Sequence, residues 1–203
     1  MHRKAVSHLK KVDPALALVI KNVGPCRFCP PPLSEGTHFD YIIASIVGQQ
    51  LSVKAAATIR SRVMKLLSGR RSRAEQLAAM PDEKLRAAGL SRQKLSYLKD
   101  FAQKVVSNEL PIAHLHELSD EDVIAHLTQV KGIGRWTAQM FLMFRLGRPD
   151  VLPLNDLGIL KSIQQTYKLK KLPTPKQVTK IGQLWSPYAT VACWYLWRSL
   201  DQK

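Results

Sequence analysis

Residues 119–146, "SDEDVIAHLTQVKGIGRWTAQMFLMFRL", decide the fold. Apolar residues recur at helical spacing on both sides of "KGIG" (131–134), so the segment reads as helix, hairpin, helix. Gly132 and Gly134 permit positive φ and the close approach of another group, and the amides that open the second helix point outward at the positive end of its dipole. Such an arrangement binds an anion. Taken alone, the G-x-G pattern is equally well explained by an ordinary tight turn between helices.

Outward from the hairpin the same periodicity continues. "FDYIIASIVG", "VKAAATIRSRVMKLL", "KLSYLKDFAQKVV" and "YATVACWYLWRSL" all carry apolar residues at helical spacing, and no alternating strand pattern appears. Breaks rich in Gly, Pro, Ser or Asp fall at "GPCRFCPPPLSEG", "GQQLS", "MPDEKL", "AAGLS", "GRPDVLPLND" and "LPTPK". The expectation is an all-α chain of about eight to ten helices with short connections. Three turns between apolar helices hold small or polar residues: "GQQLS" (48–52), "KGIG" (131–134) and "LPLND" (152–156). Loops of this kind on a rigid scaffold are where function concentrates.

The chain has 203 residues and 45% hydrophobic content, enough for a proper core in one domain or two interleaved lobes. Its 31 Lys and Arg against 15 Asp and Glu leave a formal charge of +16, which argues for a polyanionic partner over a neutral metabolite. The plainer alternative is a basic, solvated surface. Three cysteines form no disulfide framework. Cys26 and Cys29 in "CRFC" supply at most half a zinc site, no second pair follows at ligand spacing, and free thiols are the expectation. Four cysteines for an iron–sulfur cluster are lacking. The basic N-terminus has no apolar signal core, and no stretch reaches the roughly 18 apolar residues of a membrane span. A place in the cytoplasm or on nucleoid DNA, nuclear in a eukaryote, is expected.

Asp156 precedes "LGILKSIQQTY", so its local reading is an N-cap. Each of the four tryptophans, taken alone, reads as core.

The stretch "LTQVKGIGRWTAQMFLMFRLGRPDVLPLNDLGI" (127–159) resembles the helix-hairpin-helix and Gly/Pro-Asp signature of base-excision DNA glycosylases, in particular the 3-methyladenine DNA glycosylase II branch. "SIVGQQLSVKAAATI" (45–59), "LRAAGLSRQKLSYLKDFA" (85–102) and "WSPYATVACWYLW" (185–197) are similar to further blocks of that branch, in order. The resemblance implies a single two-lobed domain over 1–203 in the compact form, without an extra N-terminal domain. One lobe would run from about 45 to 155 and carry the hairpin, with the N- and C-terminal helices forming the other.

The resemblance also assigns roles. Asp156 becomes the catalytic carboxylate, stabilising an oxocarbenium-like sugar and orienting the attacking water. Trp136, Trp197 and Met140 would line the base pocket, Met140 replacing a tyrosine found in some relatives. Trp185 and Trp194 stay as core. Gln50, with Gln49 beside it, would fill the gap left by a flipped base. Gly132, Gly134, Lys131, Arg135, Thr137 and Lys161 would contact phosphates, as would the basic residues Arg92, Lys94 and Lys99. The carbonyls of Thr128, Val130 and Ile133 would hold a monovalent cation, Na+ or K+, and no other cofactor is implied.

Bifunctional relatives carry a lysine two places after the second hairpin glycine. Trp136 stands there, so imine-based strand cleavage is not expected. Ala189 departs from an arginine common in relatives, and Asp40, Glu117 and Asp150 fall outside the matched carboxylate position. The implied activity is a monomeric, monofunctional glycosylase on alkylated purines in double-stranded DNA. Its rivals are the same fold acting on deaminated or mismatched bases, and a non-catalytic DNA-binding module in which Asp156 only caps a helix.

Overall fold

The computed structural model describes residues 2–32, 36–70 and 72–201. Among them the regular elements are all helical: α1 (His2–Val12), α2 (Pro14–Val23), α3 (His38–Gly48), α4 (Val53–Leu66), α5 (Arg73–Ala79), α6 (Asp82–Ala87), α7 (Arg92–Val106), α8 (Asp120–Thr128), α9 (Arg135–Phe144), α10 (Leu157–Thr166), α11 (Pro175–Gly182) and α12 (Ala189–Leu200), with 3-10 turns at Ile112–Glu117 and Gln183–Trp185. This exceeds the expected eight to ten helices. The surplus includes α5 and α6, of 7 and 6 residues, too short for apolar periodicity to register. Their starts are set by local chemistry instead: Ser72 and Glu75 form a capping box, and Asp82 and Glu83 sit in the first turn of α6, within "MPDEKL".

Two compact units divide the chain, Pro32–Phe141 on the one hand and Met1–Pro31 with Leu142–Lys203 on the other. The hairpin unit, 32–141, starts and stops earlier than the expected lobe of about 45–155. Its core is built on α3, whose Ile42, Ile43, Ile46 and Val47 lie on one helical face and are fully buried. Phe39 stacks on Phe101 of α7, ring centroids 4.7 Å apart. Two α7 lysines face inward rather than toward a ligand. Lys94 Nζ donates to the carbonyls of Val47 (2.7 Å) and Gln49 (2.6 Å), closing the C-terminal end of α3. Lys99 Nζ donates to Ala78 (3.0 Å) and Met80, closing the end of α5. Both therefore serve as C-terminal caps in this structure, where a cation complements the helix dipole. Desolvation lowers the pKa of Lys94.

The aspartate unit packs α1, α2, α10 and α12 together. Trp185 is fully buried and Trp194 half-buried, lying edge-on to Tyr195. A buried carboxylate that the sequence did not single out organises this unit. Asp13 caps α2 by accepting from Leu16 N–H (2.9 Å), and it also accepts from the Trp185 indole (2.8 Å) and the Tyr167 hydroxyl. Three donors offset its desolvation. Burial, and then the adjacent Asp13, push the Tyr167 pKa far up.

Candidate functional site

In the hairpin unit, α8 ends at Thr128 and α9 begins at Arg135, as the flanking periodicity predicts. The turn closes through Val130 N–H to Leu127 (3.1 Å) and Ile133 N–H to Val130 (3.0 Å). Its two glycines are there for different reasons. Gly132 has φ +80°, and a Cβ on it would sit 2.1 Å from a ring carbon of Tyr97, so both backbone and packing demand glycine. Gly134 has no positive φ, and a Cβ there would meet nothing within 4 Å. The protein's own packing therefore makes no demand at Gly134, and the bare backbone opens onto the start of α9.

The turn is braced from several sides within the unit. Asp100 of α7 accepts the Lys131 backbone N–H (2.9 Å) and lies 3.7 Å from its Nζ. Tyr97, one turn earlier, packs on Gly132 and accepts from Gln93 (2.7 Å). Gln49 Nε2 donates to the Gly132 carbonyl (2.9 Å). In the sequence alone Tyr97 and Asp100 have no role and Gln49 has only a place beside Gln50.

Gln49 and Gln50 thus diverge. Gln49 turns inward to the hairpin, whereas Gln50 is exposed at φ +55°, in the left-handed region that favours glycine. Holding a non-glycine residue there costs about 1–3 kcal/mol. Ser52 accepts from Ala55 N–H (3.3 Å) and starts α4, fixing the far side of the turn. On α9, Trp136 is 51% exposed, while Thr137 and Met140 are half-buried and the Met140 carbonyl accepts from Tyr41 (3.3 Å). Arg135 makes a two-pronged pair with Glu121 (3.0 and 2.5 Å) between exposed side chains, which costs little to exchange for another anion.

In the aspartate unit, the segment "GRPDVLPLN" is locked before it delivers Asp156. Thr190, fully buried, donates to the Arg148 carbonyl (2.7 Å) and accepts from Val151 N–H (3.0 Å). Asp150 accepts from Ala189 N–H (3.0 Å) and Ser186 (2.6 Å), which fastens it to the start of α12. Asp156 is 8% exposed and caps α10: its Oδ1 accepts from Ile159 N–H (2.8 Å) and from the Trp197 indole N–H (2.9 Å). The sequence offered Trp197 only as a pocket wall. Phe144 lies beside that indole, centroids 5.8 Å apart, and Phe28 meets Phe144 edge-on. Buried Cys193 feels Asp156, but burial is the larger reason that its thiol is pushed far up, which leaves it inert. Lys161, one turn along α10, is exposed.

Among the described residues no group of three or more His, Cys, Asp or Glu could hold a metal ion. Cys26 and Cys29 are free thiols, and burial raises the pKa of Cys26. Among the described residues, no helix is long and apolar enough to cross a membrane.

Comparison with known proteins supplies context for this geometry. The family model described as "HhH-GPD superfamily base excision DNA repair protein" matches residues 43–187. DNA-3-methyladenine glycosylase 1 of Schizosaccharomyces pombe is 36% identical over 200 residues, covering 97% of this chain and 86% of that protein. A crystal structure of a DNA-3-methyladenine glycosidase from Bacillus halodurans aligns with a TM-score of 0.85 at 37% identity, covering 98% of this chain and 89% of that one. The S. pombe 3-methyladenine DNA glycosylase in complex with abasic DNA aligns with a TM-score of 0.79 at 36% identity, covering 96% of this chain and 95% of that one.

Proposed function

The chain belongs to the HhH-GPD superfamily of base excision DNA repair proteins, and from that premise we propose that it is a monofunctional DNA glycosylase that hydrolyses the N-glycosidic bond of alkylated purines flipped from duplex DNA. The observation that carries this reading is Asp156: a buried carboxylate at the start of α10, held by a backbone amide and an indole N–H.

Cleavage of the glycosidic bond builds positive charge on the deoxyribose. A fixed carboxylate beside it stabilises that charge, because an aligned anion in a desolvated site needs no reorganisation as the reaction proceeds. The bonding electrons leave with the base. A purine alkylated at N3 or N7 departs neutral, so no general acid is required and one carboxylate suffices where ordinary sugars use a pair. Water then adds to the sugar carbon and loses its proton, with Asp156 orienting it, and the product is an abasic site. Trp136, with indole and no amine, provides no imine-forming nucleophile and leaves the strand intact. Its half-exposed indole would attract a cationic base by about 0.5–2 kcal/mol, with Met140 one turn along the same helix.

On the DNA side, Gln50 is the exposed wedge and Gln49 its anchor. Phosphates would meet the opening of α9 at Gly132, Gly134, Arg135 and Thr137, with Lys131 and Lys161 adding charge. The hairpin carbonyls of Thr128, Val130 and Ile133 are neutral oxygens of the type that suits Na+ or K+ rather than zinc. Such an ion would be held by these three carbonyls and would supply positive charge and no chemistry. A monomer acting on nuclear or nucleoid DNA, arranged as one domain of two helical lobes, completes the proposal.

The test is incubation with randomly methylated duplex DNA. Free methylated purines should appear, with strand breaks only after alkali or heat. Release of uracil or mismatched bases in preference would move the lesion class. Breakage trapped by borohydride would contradict the reading of Trp136.

A further inference from the structure

We propose that Trp197 acts on the reaction through Asp156, as a positioning residue, and that Gly158 is the residue that allows it; this rests on the glycosylase reading above. The indole N–H and the Ile159 amide both donate to the same carboxylate oxygen, at 2.9 and 2.8 Å. Two donors on one oxygen, one from the backbone of α10 and one from α12, fix the direction of the carboxylate about both of its side-chain torsions.

Gly158 makes the convergence sterically feasible. A Cβ at this position would lie 2.9 Å from Trp197 Cδ1, 3.1 Å from its Nε1 and 3.1 Å from Asp156 Oδ1, crowding both ends of the hydrogen bond at once. Its backbone does not have a positive φ, so no turn geometry demands glycine there. Glycine inside a helix costs about 0.5–1 kcal/mol relative to alanine, and the close approach of indole to carboxylate is the feature that offsets it. Phe144 lies against the indole, ring centroids 5.8 Å apart, and is itself met edge-on by Phe28. An indole fixed in this way is a rigid support for the carboxylate.

The protein with Trp197→Phe keeps an aromatic ring and loses the donor. Single-turnover release of 7-methylguanine should fall by about 10- to 100-fold, the size of one hydrogen bond to a charged group, while the Kd for abasic duplex stays unchanged. Gly158→Ala should slow release similarly, and the two changes together should be no worse than either alone. A spectroscopic readout is independent of catalysis: in Asp156→Ala the Trp197 indole 1H–15N resonance should move upfield and exchange faster. The Trp185 indole, bonded to Asp13, is the internal control and should not move. Wild-type release rates in Trp197→Phe, a weakening of Kd that accounts for the whole loss, or an unmoved Trp197 resonance would each overturn the assignment. Should the unaltered protein release no methylated purine, the glycosylase reading falls instead, and the resonance still reports on the contact.

Discussion

Helices α9 and α10 are each ten residues long, and they finish their N-termini in opposite ways. Each N-terminus carries the equivalent of about half a positive charge and unpaired amides. At α10 a buried side chain answers them: the Asp156 carboxylate accepts the Ile159 amide and is itself gripped by Trp197. At α9 the preceding residue is Gly134, which has no side chain to offer and open space where one would stand. The difference follows from burial. An N-terminus removed from water must bring its own acceptor, whereas an exposed one in a chain of charge +16 can leave the place to a phosphate.

The comparison breaks most visibly at Asp156. Asp156→Asn keeps an N-cap of equal quality, so stability should change by less than about 1 kcal/mol. Base release should nevertheless fall on the order of 100- to 1,000-fold, the scale for losing one preorganised electrostatic contact. Unchanged release in this variant would leave Asp156 a cap alone and favour the non-catalytic DNA-binding reading.

At the hairpin, the two glycines should separate. Gly132→Ala meets both φ +80° and the Tyr97 ring, and overpacking of this kind costs about 1–3 kcal/mol. Thermal unfolding should show it as a Tm lower by roughly 2–12 °C. Gly134→Ala should leave Tm within about 2 °C, yet weaken duplex binding about 3- to 10-fold, the net worth of one ordinary hydrogen bond. If Gly134→Ala binds as well as the unaltered chain, no phosphate approaches that backbone.

The smallest expected effect belongs to Lys161→Ala. Binding should weaken alike for damaged and undamaged duplex, and the slope of log affinity against log salt should flatten by about 0.9 if one phosphate contact is lost. Lys94→Met supplies the contrast: it should lower Tm, since the lysine closes the end of α3, and leave the salt slope in place.

The sequence by itself determined the helical class, the hairpin with its two glycines, the cap at Asp156 and the tryptophan at 136, because each is written in residues within a turn or two of one another. Helical repeats and N-caps depend on short-range sterics and on amides a few positions away, and those survive in a linear reading. Only the tertiary structure decided which basic residues face inward, as Lys94 and Lys99 do, and which of two adjacent glutamines anchors the hairpin. It also separated the glycine that Tyr97 demands from the one the protein leaves open, and it brought the Trp197 indole onto Asp156, 41 positions away. Those outcomes depend on which helix faces which, and a lysine that caps a distant helix is spelled the same way as one that waits for a phosphate.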